Sequence, residues 1–127
     1  MYVNLFISTE PGDEIRLVNG EQTGGSSGRV EVLVKGEWGT ICQDGLADPY
    51  YPDGIWVKGR RAARVICRSL GYSDGKYIPT PEHNHGWARS KMVNLDCYGG
   101  EPSVFDCSSR LLPNICIFDE PFSVSCS

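Results

Sequence analysis

The chain has 127 residues, 12 Lys and Arg against 16 Asp and Glu, a formal net charge of −4 and a 40% apolar share. That is one domain's worth of chain, and its acidic balance excludes a dedicated nucleic-acid binder, which needs a basic excess to neutralise phosphates. With 15 Gly and 8 Pro, much of the chain is expected to be turn and loop, and such a chain needs cross-links to offset its conformational entropy.

Residues 1–14, MYVNLFISTEPGDE, read as a lead-in or linker. They lack the basic leading region and unbroken apolar run of a signal peptide. No apolar stretch approaches membrane-spanning length, so direct membrane insertion is not expected. The expectation is a module, residues 15–127, cut from a larger multidomain secreted or membrane-anchored chain. Ile15–Val18 is a short apolar strand, and Asn19–Gly28 a glycine-rich loop. GRVEVLVKGEWGTIC, Gly28 to Cys42, is the organising hairpin. Val30, Val32 and Val34 alternate with Arg29, Glu31, Leu33 and Lys35, which predicts a half-buried strand. Lys35-Gly36-Glu37 turns the chain into a second strand carrying Trp38. Two strands bury too little to stand alone, so the remaining chain must cover them.

Gln43–Gly59 is a long connection with Pro49, Tyr50, Tyr51, Pro52, Gly54 and Trp56. Arg60–Leu70 is the best helix: Ala62, Ala63, Ile66 and Leu70 fall on one face, Arg60, Arg61, Arg64 and Arg68 on the other, and Gly71 suits a left-handed stop. Ser73–Arg89 reads as loop and Met92–Cys97 as strand. Pro102–Cys107 reads as a short second helix, Leu111–Phe122 as irregular, and Ser123–Cys126 as a closing strand.

The six cysteines, Cys42, Cys67, Cys97, Cys107, Cys116 and Cys126, are even in number, and none lies in a Cys-x-x-Cys pair. That argues against a zinc ribbon or a thioredoxin-like motif and for disulfides formed in an oxidising, extracellular compartment. Catalysis has no support: there is no Gly-x-Ser-x-Gly and no Ser/His/Asp order, and the adjacent Asp119 and Glu120 diverge rather than pair. His83 and His85 lack the further spaced ligands that zinc requires.

IRLVNG, GRVEVLVKGEWGTICQD, AARVICRSLGY, NLDC, FDC, NIC and VSCS, in this order from Ile15 to Ser127, resemble the scavenger receptor cysteine-rich domain. Tyr72 and Ser26-Ser27 stand where the eight-cysteine group carries its additional pair, so the chain resembles the six-cysteine group. The resemblance implies an α+β fold: a small disulfide-rich domain whose curved antiparallel sheet cradles one main helix, with a short second helix. It also selects the pairing Cys42–Cys116, Cys67–Cys126 and Cys97–Cys107. Against the family pattern, residues 46–58 are an insertion. Its Tyr50, Tyr51 and Trp56 are either contact aromatics or side chains packed back on the sheet.

Many members of the family hold Ca²⁺ through acids after the first conserved Cys and in the last loop. Here Asp44 and Glu120 match, with Asp119 beside Glu120. Asn94 and Asn114 are the nearest equivalents of a further site whose acids are missing. Ca²⁺ prefers about six or more oxygens, so the alternative is a solvated acidic patch. Arg60, Arg61 and Arg64 form a local cationic face that could take carboxylate, sulfate or phosphate; the bland alternative is a solvated helix face. The functional expectation is a non-catalytic extracellular module that binds a protein or polyanionic surface. The alternative is a spacer or substrate-positioning domain in a larger secreted enzyme or matrix protein.

Overall fold

The computed structural model describes residues 14–46, 57–80, 84, 90–111, 116 and 120–127. Strands β1 (Glu14–Asn19), β2 (Gln22–Thr23), β3 (Ser27–Val34) and β4 (Glu37–Ile41) precede helix α1 (Val57–Ser69). Strands β5 (Gly75–Tyr77) and β6 (Ser90–Asp96), a 3₁₀ turn (Val104–Asp106), β7 (Ser108–Leu111) and β8 (Ser123–Cys126) follow. All eight strands form one sheet with the path β2-β1-β3-β4-β6-β7, and β8 pairs with both β3 and β5.

The hairpin forms as its alternation predicts. Glu31 lies opposite Thr40 and Val34 opposite Glu37. Lys35 and Gly36 both take positive φ, 52° and 81°, the two-residue turn that matches strand twist. Val30 and Val32 are fully buried and pack with Leu17, Ile41, Phe122 and Val124 against Ala62, Ala63, Val65 and Ile66 of α1. At the end of α1, Tyr72 N–H donates to Cys67 O at 3.0 Å and Gly71 N–H to Arg68 O at 3.0 Å. Gly71 sits at φ 93°, so the stop is a Schellman motif.

The disulfides join Cys42–Cys116, Cys67–Cys126 and Cys97–Cys107, spanning 74, 59 and 10 residues, and leave no free cysteine. This is the pairing that the family resemblance implies. Cys67–Cys126 fastens the helix to β8. The neighbouring strand β5 fits only because Gly75 has no side chain: a Cβ there would lie 2.1 Å from Cys67 Sγ.

Several sequence expectations are corrected. The sheet is mixed, because β4 and β6 run parallel. Helix α1 begins at Val57, three residues before Arg60, so the end of the 46–58 insertion is helical, and Gly59 is buried in its first turn. Leu46, at the other end of the insertion, is fully buried and belongs to the core. The Asn19–Gly28 loop contains β2, held by pairing with β1, and the start of β3, where Ser27 and Gly28 pair with β8. The Ser73–Arg89 loop contains β5, which exists because β8 supplies its partner. Leu111 lies in β7, paired with Met92 across the sheet. The second helix is a single 3₁₀ turn, capped by Ser103.

Candidate recognition face

Helix α1 turns its small and apolar residues to the sheet, which leaves its long cationic side chains facing water. Arg60, Arg61, Arg64 and Arg68 are all exposed. They are not equivalent. Arg64 Nε lies 3.3 Å from Asp74 Oδ1, and Lys58 Nζ lies 3.8 Å from Asp96. Asp74 also accepts from Gly75 N–H at 2.8 Å. That backbone donor first, and Arg64 second, hold its carboxyl below the ordinary Asp value of 3.8. Arg68 donates to the carbonyls of Ser73, at 3.2 Å, and Gly99, at 3.3 Å, and its charge adds to that of Arg64 in lowering the Asp74 pKa. Arg60 and Arg61 have no acidic partner among the described residues.

Beside α1 lies the loop closed by Cys97–Cys107. Glu101 folds its carboxylate back under this loop and accepts from Tyr98 N–H at 2.8 Å and Gly99 N–H at 2.9 Å. Burial raises the Glu101 pKa, but the converging backbone donors outweigh it and bring it below the ordinary 4.5. Gly99 packs against Arg61, whose Cγ lies 3.7 Å from where a Cβ would stand. Tyr98 is left 91% exposed at the edge of the cationic face. A Tyr between Cys97 and Gly99-Gly100 was visible in the sequence, but nothing local there said that its ring is unpacked.

On the other side of the sheet the charges are consumed. Glu31 is only 3% exposed and meets Arg16 Nη2 at 2.7 Å and Arg29 Nε at 2.9 Å. Arg16 also stacks over Trp38, 3.8 Å from the ring centroid. Arg29 reaches Asn84, donating to its main-chain O at 2.8 Å and its Oδ1 at 2.9 Å. Asn84, 1% exposed, donates to Val18 O at 3.0 Å and accepts from Gly20 N–H at 2.7 Å. The middle residue of the His-Asn-His step is therefore a structural clamp; His83 and His85 lie outside the described residues.

The expected cation ligands gather at a third place. Cys42 bridges Pro121, Phe122 N–H donates to Ile41 O at 2.8 Å, and Gln43 N–H donates to Glu120 O at 3.1 Å. Asp44 and Glu120 thus ride on joined segments. Glu120 Oε2 already accepts from the Gln43 amide at 3.1 Å. An Asp44 carboxylate oxygen lies within 4.8 Å of both sulfurs of the Cys42–Cys116 bridge, which offers no thiolate to a metal. Asn94 has φ 55° at a register shift in β6 and serves the strand's irregularity. Asp119, Asn114, Tyr50, Tyr51 and Trp56 lie outside the described residues. Lys91, on β6, is paired with Glu37 at 2.6 Å and adds no unpaired charge to the cationic face.

Fold and face define a disulfide-stapled α+β module with a polar, solvent-facing helix and no catalytic constellation among the described residues. The model of the scavenger receptor cysteine-rich (SRCR) domain matches residues 18–127, and the chain belongs to that family. It is 36% identical to the third SRCR domain of murine neurotrypsin, whose crystal structure superposes with a TM-score of 0.67 over 91% of this chain and 96% of that one. The SRCR domain of mouse MARCO, in its dimeric form, is 34% identical, with a TM-score of 0.59 over 80% of this chain and 86% of that one. Among full-length relatives, lysyl oxidase homolog 2 of Xenopus tropicalis is 35% identical over 101 residues, 79% of this chain. Lysyl oxidase homolog 3 of Homo sapiens is 36% identical over 101 residues, 78% of this chain. The chain spans 12% of the length of each of these two relatives. The domain itself is non-catalytic, of a type found in multidomain extracellular proteins. Among the described residues no helix is long and apolar enough to cross a membrane.

Proposed function

We propose that this domain is the recognition module of a larger extracellular protein and that it captures an anionic ligand on the outer face of α1. The observation that supports this most strongly is the pair Arg60 and Arg61: exposed, on a helix fixed by Cys67–Cys126, and without a carboxylate among the described residues. A guanidinium that already has a partner must give it up to bind; these two need not. Arg64 and Arg68 extend the field. The test is elution from a heparin column. Wild type should be retained and released by salt, because exposed charge pairs are screened, and Arg60→Glu with Arg61→Glu should elute at clearly lower salt. Equal retention of the two proteins would leave the spacer reading standing, which the multidomain relatives also support.

Asp44 and Glu120 are proposed as an auxiliary cation corner, with water and main-chain oxygens completing a weak Ca²⁺ shell. Millimolar Ca²⁺ should then stabilise the domain by about 1 kcal/mol, a few degrees in Tm. Asp44→Ala should remove that gain, and an unchanged melt in Ca²⁺ rejects the corner.

A further inference from the structure

We propose that Tyr98 is the anchor of a protein-docking surface, and that its occupant is an acidic segment of a partner protein that also carries apolar side chains. This rests on the reading of α1 as an anion-binding face, and it specifies what kind of anion fits. Among the described residues, the large apolar side chains left exposed are Tyr98, at 91%, and Val57, at 58%. Both border Arg61. Val57 lies one helical turn before it, at i−4, on the same side of the helix. Tyr98 is joined to Gly99, which packs on the Arg61 stem.

The Tyr98 ring is exposed, yet the backbone that carries it is rigid. The Cys97–Cys107 bridge closes the loop. Glu101 ties down the N–H groups of Tyr98 and Gly99, Ser103 Oγ accepts from Phe105 N–H at 3.2 Å, and Arg68 fastens Gly99 O to the helix. A pre-ordered aromatic loses little entropy on binding, and Tyr beside Arg is the composition enriched at energetic hot spots. A sulfated polysaccharide would use the guanidiniums alone and gain little from an aromatic ring and a valine. Carboxylates flanked by apolar side chains use both.

Three probes distinguish the cases: heparin, polyglutamate, and a mixed glutamate–tyrosine polymer of matched length. Wild type should bind the mixed polymer more tightly than polyglutamate, and Tyr98→Ala should erase that preference, a loss of about tenfold for a hot-spot aromatic. Tyr98→Phe should keep most of it. Tyr98 makes no core contact, so Tm should hold in both variants; the comparison stays one of binding. Arg60→Glu with Arg61→Glu should weaken all three probes. If those charge reversals act but Tyr98→Ala leaves the mixed polymer bound as in wild type, the docking inference is overturned while the anion-binding face stands. If heparin binds most tightly and Tyr98→Ala changes nothing, the occupant is a polysaccharide and the inference is likewise overturned. If the charge reversals change nothing, the face itself is wrong.

Discussion

Arg16 and Arg29, on the face of the sheet turned away from α1, close on one buried carboxylate; Arg60 and Arg61, on the outer face of α1, close on none among the described residues. The side chain is the same and the surroundings differ. Glu31 alternates with core valines, so it points away from the main core. It is buried nonetheless, because Asn84 and the long side chains of Arg16 and Arg29 cover that face. An ionised group there must be paired, and the pairing makes it structural. Among the described residues no such cover lies over α1, and its arginines are exposed to water. A guanidinium is a binding element where nothing on the protein has already used it.

The largest effect expected is on the scaffold shared by both regions. Replacing Cys67 and Cys126 by Ser together should cost about 4 kcal/mol by the loop-entropy account, a large part of a small domain's stability. Urea denaturation checks this, and a loss near zero would mean that the bridge does not hold the helix to the sheet.

Next is the sheet side of the comparison. Glu31→Ala strands Arg29, whose side chain is only 11% exposed, and should cost about 3 kcal/mol in the same assay. A cost below that of an ordinary surface substitution would show the cluster to be solvated and the contrast between the two faces to be false.

The smallest effect is acidic. Asp74 and Glu101 have pKa values below the ordinary 3.8 and 4.5 when folded. Between the folded and unfolded values the unfolded chain binds more protons. The stability these groups supply is therefore complete above the ordinary carboxylate range and is lost as pH falls through the folded values. Tm should decline as pH drops below about 4, and Glu101→Gln should flatten that decline. Asp74 is half exposed, so its share is small.

The parts of this molecule set by local chemistry were legible in the sequence. Val30 and Val32 announced their strand by alternation, Ala62, Ala63 and Ile66 their helix face, and Gly71 its stop. The arginines of α1 were placed on the outside by the same periodicity. The parts set by distant partners were not. Alternation tells which side Glu31 faces, but not that Asn84, some fifty residues on, helps cover it. Three residues of β5 carry no periodic signal and are a strand only because β8 and the Cys67–Cys126 bridge lie beside them. The parallel pairing of β4 with β6 depends on how a long connection returns. Within the recognition face, which cationic side chain is paired depends on Asp74, which meets Arg64, and Asp96, which meets Lys58, and no helical pattern encodes that.

The most direct measurement is a melt and a heparin elution carried out on two double variants side by side. For Arg60→Ala with Arg61→Ala, the account predicts a Tm close to wild type, within about 0.5 kcal/mol of stability, and elution at distinctly lower salt. For Arg16→Ala with Arg29→Ala, it predicts a lowered Tm and, in the fraction still folded, elution like wild type. If the helix pair destabilises the domain while its retention is unchanged, or if the sheet pair governs retention, the assignment of recognition to α1 is contradicted.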